Sequence, residues 1–152
     1  MSDTISPPDP TAARKHWMSV LARATADAIH AALTRDGPML EWSRVRGPET
    51  GLVMVRGRAG GSGSPFNLGE MTVTRCTVRL PSGTIGHAYV AGRHERRAEL
   101  AAVADARLQE TAAAADTLIR PLAEAQREQR LTRAEKAAAT RVEFFAMRNM
   151  RS

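Results

Sequence analysis

The chain has 152 residues, 43% apolar and 25% charged, a length that suits one domain with a real core and no apolar run long enough to span a bilayer. Its one cysteine, Cys76, excludes an internal disulfide and a cysteine-based metal cluster, and its place in a strand-like run reads as a small buried hydrophobe. The net charge is +6, carried almost wholly by arginine, with Lys15 and Lys136 the only lysines.

Residues 1–10 are polar, with Asp3 and Asp9, and read as a disordered lead rather than a signal peptide. A cytoplasmic protein with a single α+β domain over residues 11–148 is the expectation. Asp9 offers an N-cap and Pro10 the first helical position. Apolar residues then recur at helical spacing from Ala12 to Arg35: Trp17, Leu21, Ala24 and Ala28, flanked by Val20, Ile29 and Leu33. Gly37-Pro38 ends this N-terminal helix.

An antiparallel sheet of three to four strands is expected next. Leu40 to Arg46, with Trp42, reads as a short strand, Gly47-Pro48-Glu49-Thr50-Gly51 as a turn, and Leu52 to Arg58 as a second strand. Leu68 to Leu80 reads as a long strand whose apolar parity changes: Met71 and Val73 are odd, Cys76, Val78 and Leu80 even. That pattern predicts a bulge near Thr74-Arg75, or a segment covered on both faces. Pro81-Ser82-Gly83-Thr84 turns the chain into Ile85 to Val90.

Two C-terminal helical regions follow. One runs from about His94 to Ala115 with a stripe of Leu100, Val103, Ala104 and Leu108, and Pro121 breaks it. The other runs from about Leu122 to Met147; Glu124 to Lys136 is highly charged, and an abrupt apolar end carries Phe144, Phe145 and Met147. Such an end suits docking, onto the chain's own core or onto a partner.

The residues that bear on function cluster in the middle. Residues 51–94 hold five arginines (Arg56, Arg58, Arg75, Arg79 and Arg93) against one acid, Glu70, so four of the six net charges fall there. An anionic ligand or surface is the natural partner, although high arginine and alanine content also follows from a GC-rich genome. The loop from Arg56 to Glu70 contains Gly60, Gly61 and Gly63, which free the backbone to approach an anion. It lacks the Gly-Lys-Ser/Thr ending of a P-loop, and a strand rather than a helix follows it, so helix-dipole phosphate binding is absent. Phosphate contact by Arg56, Arg58 and Arg75 and a plain flexible connection remain equal readings of the loop itself. Glu70 reads as a salt-bridge partner of Arg58 or Arg75. His87, alternating with Ile85 and Tyr89, reads as a hydrogen-bonded core or interface histidine. The sequence shows no nucleophile–base pair, paired carboxylates or metal-ligand spacing. An arginine-rich nucleic-acid-binding protein is the alternative from another class, weakened by an aromatic content of only 4%.

The segment Arg14-Lys15-His16-Trp17-Met18-Ser19-Val20-Leu21-Ala22 resembles the opening of the PhnG family of bacterial C–P lyase systems. Further matches follow in the family's order: Glu49-Thr50-Gly51-Leu52-Val53, Arg58-Ala59-Gly60-Gly61-Ser62-Gly63, Thr72-Val73-Thr74-Arg75, Val78-Arg79-Leu80, Gly83-Thr84-Ile85-Gly86, Val90-Ala91-Gly92-Arg93, Pro121-Leu122 and Arg141-Val142-Glu143-Phe144-Phe145-Ala146-Met147. Ser62 in place of threonine and Glu143 in place of aspartate are the local departures. The resemblance implies a subunit that acts with PhnI, PhnH and PhnL to displace the adenine of ATP by a phosphonate such as methylphosphonate. The product is alpha-D-ribose 1-methylphosphonate 5-triphosphate. It also implies a core complex with PhnH, PhnI and the radical subunit PhnJ, with nucleosidase chemistry on PhnI. No cofactor is expected in this subunit, ATP being a substrate of the complex, and its own catalytic residues stay unassigned. On this reading Arg56, Arg58, Gly60, Gly61, Gly63 and Arg75 make an anion or subunit contact, with subunit contact favoured, and Trp17, Phe144, Phe145 and Met147 dock partners.

Overall fold

A computed structural model of the chain describes residues 10–139. The first helix, α1 (Pro10–Leu21), opens on a proline whose missing N–H costs nothing at that position. It buries Trp17, Val20 and Leu21. The single helix expected as far as Arg35 is in fact two. Thr25 sits in extended conformation, its hydroxyl accepts from the Ala28 N–H at 3.2 Å, and this cap starts α2 (Ala26–Leu33). A threonine that finds a local backbone partner competes with continuing the helix, and here it wins.

The sheet is three antiparallel strands in chain order, β1 (Ser43–Arg58), β2 (Pro65–Arg79) and β3 (Ile85–Ala91). β1 (Ser43–Arg58) is one strand, where two strands and a turn were expected. Gly47 and Pro48 do not turn the chain; together they oppose Cys76 as a bulge, and Val45 is a second extra residue. β1 is an edge strand, so Pro48 removes no ladder donor that β2 needs. The predicted bulge therefore lies across the ladder, in β1 rather than at Thr74-Arg75. β2 (Pro65–Arg79) pairs with β3 (Ile85–Ala91) without a slip from Val73↔Ala91 to Arg79↔Ile85. The parity change marks instead the other alternative, a segment buried on both faces at Val73 and Thr74. Thr74, Cys76 and Val78 form the inward face, and Thr74 is buried because its hydroxyl donates to Gly92 O at 2.6 Å and accepts from His94 N at 3.0 Å. Val73 is buried too, but outside the main core.

α3 (Glu95–Glu110) lies against the inward face of β2 and β3, with α1, α2 and α4 (Ala114–Ala139) around its other sides. It is buried almost all round, as a central helix must be. Alanines let it approach closely. At Gly86 a Cβ would fall 1.9 Å from Ala102 O and 2.7 Å from Ala106 N, so only glycine fits. α4 (Ala114–Ala139) runs straight through Pro121, where a break was expected. Proline cannot donate to Thr117 O, and Arg35 Nη1 takes up that carbonyl at 3.0 Å. Leu118, Ile119 and Leu122 dock α4 on the core; from Arg127 to Ala139 every residue is exposed. The apolar end with Phe144, Phe145 and Met147 and nearly all of the N-terminal lead lie outside the described residues.

Candidate functional site

The sheet continues past its third strand as a two-stranded arm. β3 pairs with β2 only from Val73 to Arg79, whereas β1 and β2 pair with each other out to Arg58↔Pro65. Eight β2 residues, Pro65 to Thr72, therefore extend beyond β3, a reach of roughly 25 Å at strand rise. Most of the large exposed apolar side chains of the described residues are on this arm: Leu52, Met54, Phe66, Leu68 and Met71. Cross-strand partners share a face, so Leu52 and Met54 lie with Thr72 and Glu70, while Val53 and Val55 lie with Met71 and Gly69. Both faces are thus apolar, and Leu52 and Leu68 are 63% and 62% exposed. A slip at Val55/Arg56 makes Leu68 an extra residue whose side chain folds over Gly57, where a Cβ would meet it at 2.3 Å.

The glycine loop closes the arm's tip. Ala59–Gly61 form one 3₁₀ turn; Gly60 and Gly61 have φ of 60° and 79°, a region that favours glycine. Gly63 N–H donates to Ala59 O at 2.9 Å, and a Cβ on Gly63 would lie 2.6 Å from that oxygen. Arg58 Nη1 donates to Gly63 O at 3.2 Å, holding the loop to its own stem. The glycines make a tight turn in which Ala59 O and Gly63 O accept from the loop and its stem. Arg56 stands exposed beside it.

Arg75 is not with them. It sits in the three-stranded region, paired with Glu49 at 2.9 Å, and Arg46 holds the other Glu49 oxygen. Hydrogen bonds from Arg46 and then Arg75 hold the Glu49 carboxyl below its ordinary range. Glu70 takes neither of its expected partners, since Arg58 bonds a carbonyl and Arg75 bonds Glu49. His87 is exposed rather than in the core: Gly86, Ala88 and Val90 are the buried residues of β3, and His87 Nδ1 meets Thr77 Oγ1 at 3.2 Å on the open face.

Trp17, expected to dock a partner, is buried inside the chain. Its Nε1–H donates to Asp105 Oδ1 at 2.8 Å. Asp105 is fully buried on α3 and is the polar centre of the core. Arg14 forks onto both of its oxygens at 3.2 and 2.8 Å, and His87 N–H and Gln109 Nε2 reach Oδ2 at 2.9 and 3.1 Å. This junction ties α1 and β3 to α3. A lone acid inside the stripe of Leu100, Val103, Ala104 and Leu108 was its only signal in the sequence. A second junction is Glu99, which accepts from Arg44 at 2.7 and 2.9 Å and from Trp42 at 2.9 Å.

Burial pushes the Cys76 thiol up to about 11, far from a reactive thiolate. Among the described residues there is no cluster of three or more metal-ligating side chains, and no helix is long and apolar enough to cross a membrane.

The family described as "Phosphonate metabolism protein PhnG" matches residues 12–149. A relative from Rhizobium meliloti (strain 1021), named "Alpha-D-ribose 1-methylphosphonate 5-triphosphate synthase subunit PhnG", is 47% identical over 138 residues, covering 90% of this chain and 88% of its own.

Proposed function

Because the chain belongs to the PhnG family, we propose that it is a subunit of an alpha-D-ribose 1-methylphosphonate 5-triphosphate synthase. Its work there is to complete an assembly whose chemistry lies on other chains. The partners would be PhnI, PhnH, PhnL and PhnJ. The reaction would transfer a phosphonate to the ribose C1 of ATP with loss of adenine, and the isolated chain would be inactive.

The observation that carries this reading is the arm. A two-stranded ribbon is marginal alone in water, and one that is apolar on both faces asks to be covered. Each of the five exposed side chains has roughly half its surface left to bury, about 1 kcal/mol apiece and about 5 kcal/mol together. Association costs about 4–15 kcal/mol, so the arm anchors a larger interface rather than making one alone. Arg56 and Arg58 beside the apolar side chains add electrostatic selection for an acidic rim. The nucleic-acid reading rests on net charge alone, and neither the family nor the relative's name supports it.

Co-purification with PhnI tests the proposal. Leu52→Glu with Phe66→Glu should leave the chain folded and abolish co-purification; full retention would contradict arm docking. Arg58→Ala in the reconstituted complex separates the two readings of the loop, because unchanged assembly with lost turnover would sink a purely structural role. Turnover of ATP and methylphosphonate by the isolated chain would overturn the proposal itself.

A further inference from the structure

A cleft of about 350 Å³ opens where the end of α1, the end of β3, the first turns of α3 and the middle of α4 meet. Its polar lining is Arg23, Arg97, Gln126, Gln129, Arg130 and Arg133, and no carboxylate lines it. The four α4 residues follow one another at i, i+3, i+4 and i+7, which puts them on one helix face. Ion pairs among the described residues use Arg14, Arg44, Arg46, Arg75, Arg96 and Arg120, and none of the cleft arginines. Arg97 is fixed by Nη2 donating to Ala91 O at 2.7 Å, yet its Nε is buried without a partner. Gln126 is anchored by donating to Val20 O at 2.9 Å. Four guanidinium groups line one cleft with no acid among them, which leaves their charge to be balanced by an anion.

We infer that this cleft binds a compact polyphosphate, a linear diphosphate or triphosphate group carrying several negative charges. Guanidinium forks match phosphate oxygens, and the side-chain amide of Gln129 adds a neutral donor beside them. Four cations exceed what one phosphate neutralises. No aromatic side chain lines the cleft to stack a base, which disfavours a nucleic-acid strand. Identifying the phosphate with the 5-triphosphate of the relative's named compound rests on the proposed function; the preference for polyphosphate does not.

The test is calorimetric titration of the full chain with inorganic tripolyphosphate at about 50 mM salt. Saturable one-to-one binding is expected. Arg130→Ser with Arg133→Ser, both exposed, should leave the melting temperature unchanged and weaken binding at least about tenfold. Arg97→Met should weaken it as well. Arg56→Ser with Arg58→Ser, on the arm, should leave it unaltered. Three results would overturn the inference: no saturable binding, binding that survives the α4 double variant, or a generic RNA that binds and is not displaced by tripolyphosphate. Co-purification with PhnI is read separately, so failure of the docking role and failure of the cleft are distinguishable.

Discussion

Replacing Asp105 by asparagine changes almost no volume, yet the geometry makes it costly. Oδ1 accepts from Arg14 Nε and Trp17 Nε1; Oδ2 accepts from Arg14 Nη2, His87 N and Gln109 Nε2. Every partner is a donor. Asparagine offers one acceptor and one NH2, so whichever way it turns, its NH2 faces donors. The cheaper choice gives up the Oδ1 side. That orphans the Trp17 N–H, at about 1–3 kcal/mol for a buried donor, and removes the charge that fixes Arg14. With the Arg14 side chain 36% exposed, its loss is cushioned by water and adds about 1 kcal/mol. The expected sum is about 3 kcal/mol, a fall of about 6–12 °C in melting temperature for a chain of this size. Asp105→Ala, which adds a cavity and orphans the His87 N–H, should cost more, about 5 kcal/mol. Urea unfolding of the full chain checks both, with a lower midpoint and an unchanged slope. A cycle with Arg14→Met should show coupling, since the two residues share two hydrogen bonds. An asparagine variant within about 0.5 kcal/mol of the parent would refute the reasoning, because it would mean that the junction tolerates a donor where only acceptors fit.

Gly86→Ala should destabilise by about 2–3 kcal/mol or block folding, because its Cβ meets α3 backbone, whereas Gly51→Ala, with open space around it, should change stability by less than about 0.5 kcal/mol; paired denaturant curves distinguish them. Glu99 is held below its ordinary carboxyl range, first by its hydrogen bond from Arg44. A depressed carboxyl stabilises the fold above its unfolded value and loses that contribution as pH falls through its folded value. Glu99→Gln should therefore cost about 1–2 kcal/mol at pH 7, with the gap to the parent closing below about pH 4.5; an unfolding series against pH that keeps the gap constant would contradict the assignment. Burial raises Cys76 to about 11, so the folded state prefers the neutral thiol. Its contribution is intact below the unfolded thiol value and is lost as pH rises toward the folded one, and thiol labelling near pH 8 should be slow until the chain unfolds.

The sequence carries the element order because its signals are local and strong. Pro10, the stripe from Trp17 to Ile29, the turn at Gly83 and the α3 stripe each mark an element that formed. The misplaced boundaries arise where tertiary contacts outweigh local punctuation. Gly47 and Pro48 signal a turn, but an edge strand tolerates them as a bulge once β2 supplies the ladder. Pro121 signals a break, but Arg35, far away in sequence, takes the carbonyl that proline cannot serve. Thr25 is the opposite case, a legible cap passed over because the apolar spacing runs through it. At the candidate site, the glycine loop and its arginines were legible as a feature. Their setting at the tip of an arm was not, because the length of β3 decides where the third strand ends. Arg75 groups with them by charge and is set apart by register, opposite Glu49.

The arm and the cleft differ in what they require of a partner. The arm carries Leu52, Met54, Phe66, Leu68 and Met71 on two faces, with Arg56 and Arg58 near its tip. Apolar area on both sides of a thin ribbon is covered only by a surface that wraps it, which means another folded chain rather than a small molecule. The cleft has a different character, with four arginines, two glutamines and two alanines lining it. A small anion satisfies such a lining without a protein interface. The loop that first suggests an anion cradle spends the N–H groups of Ser62 and Gly63 on Ala59 O and the Arg58 guanidinium on Gly63 O, contacts that close the arm's tip. The anion-binding potential announced by the chain's charge is better met at the cleft beside α4, which Arg23, Arg97, Arg130 and Arg133 line with no acid among them. The two proposals place assembly and anion binding on different elements, so each can be removed by substitution while the other is measured.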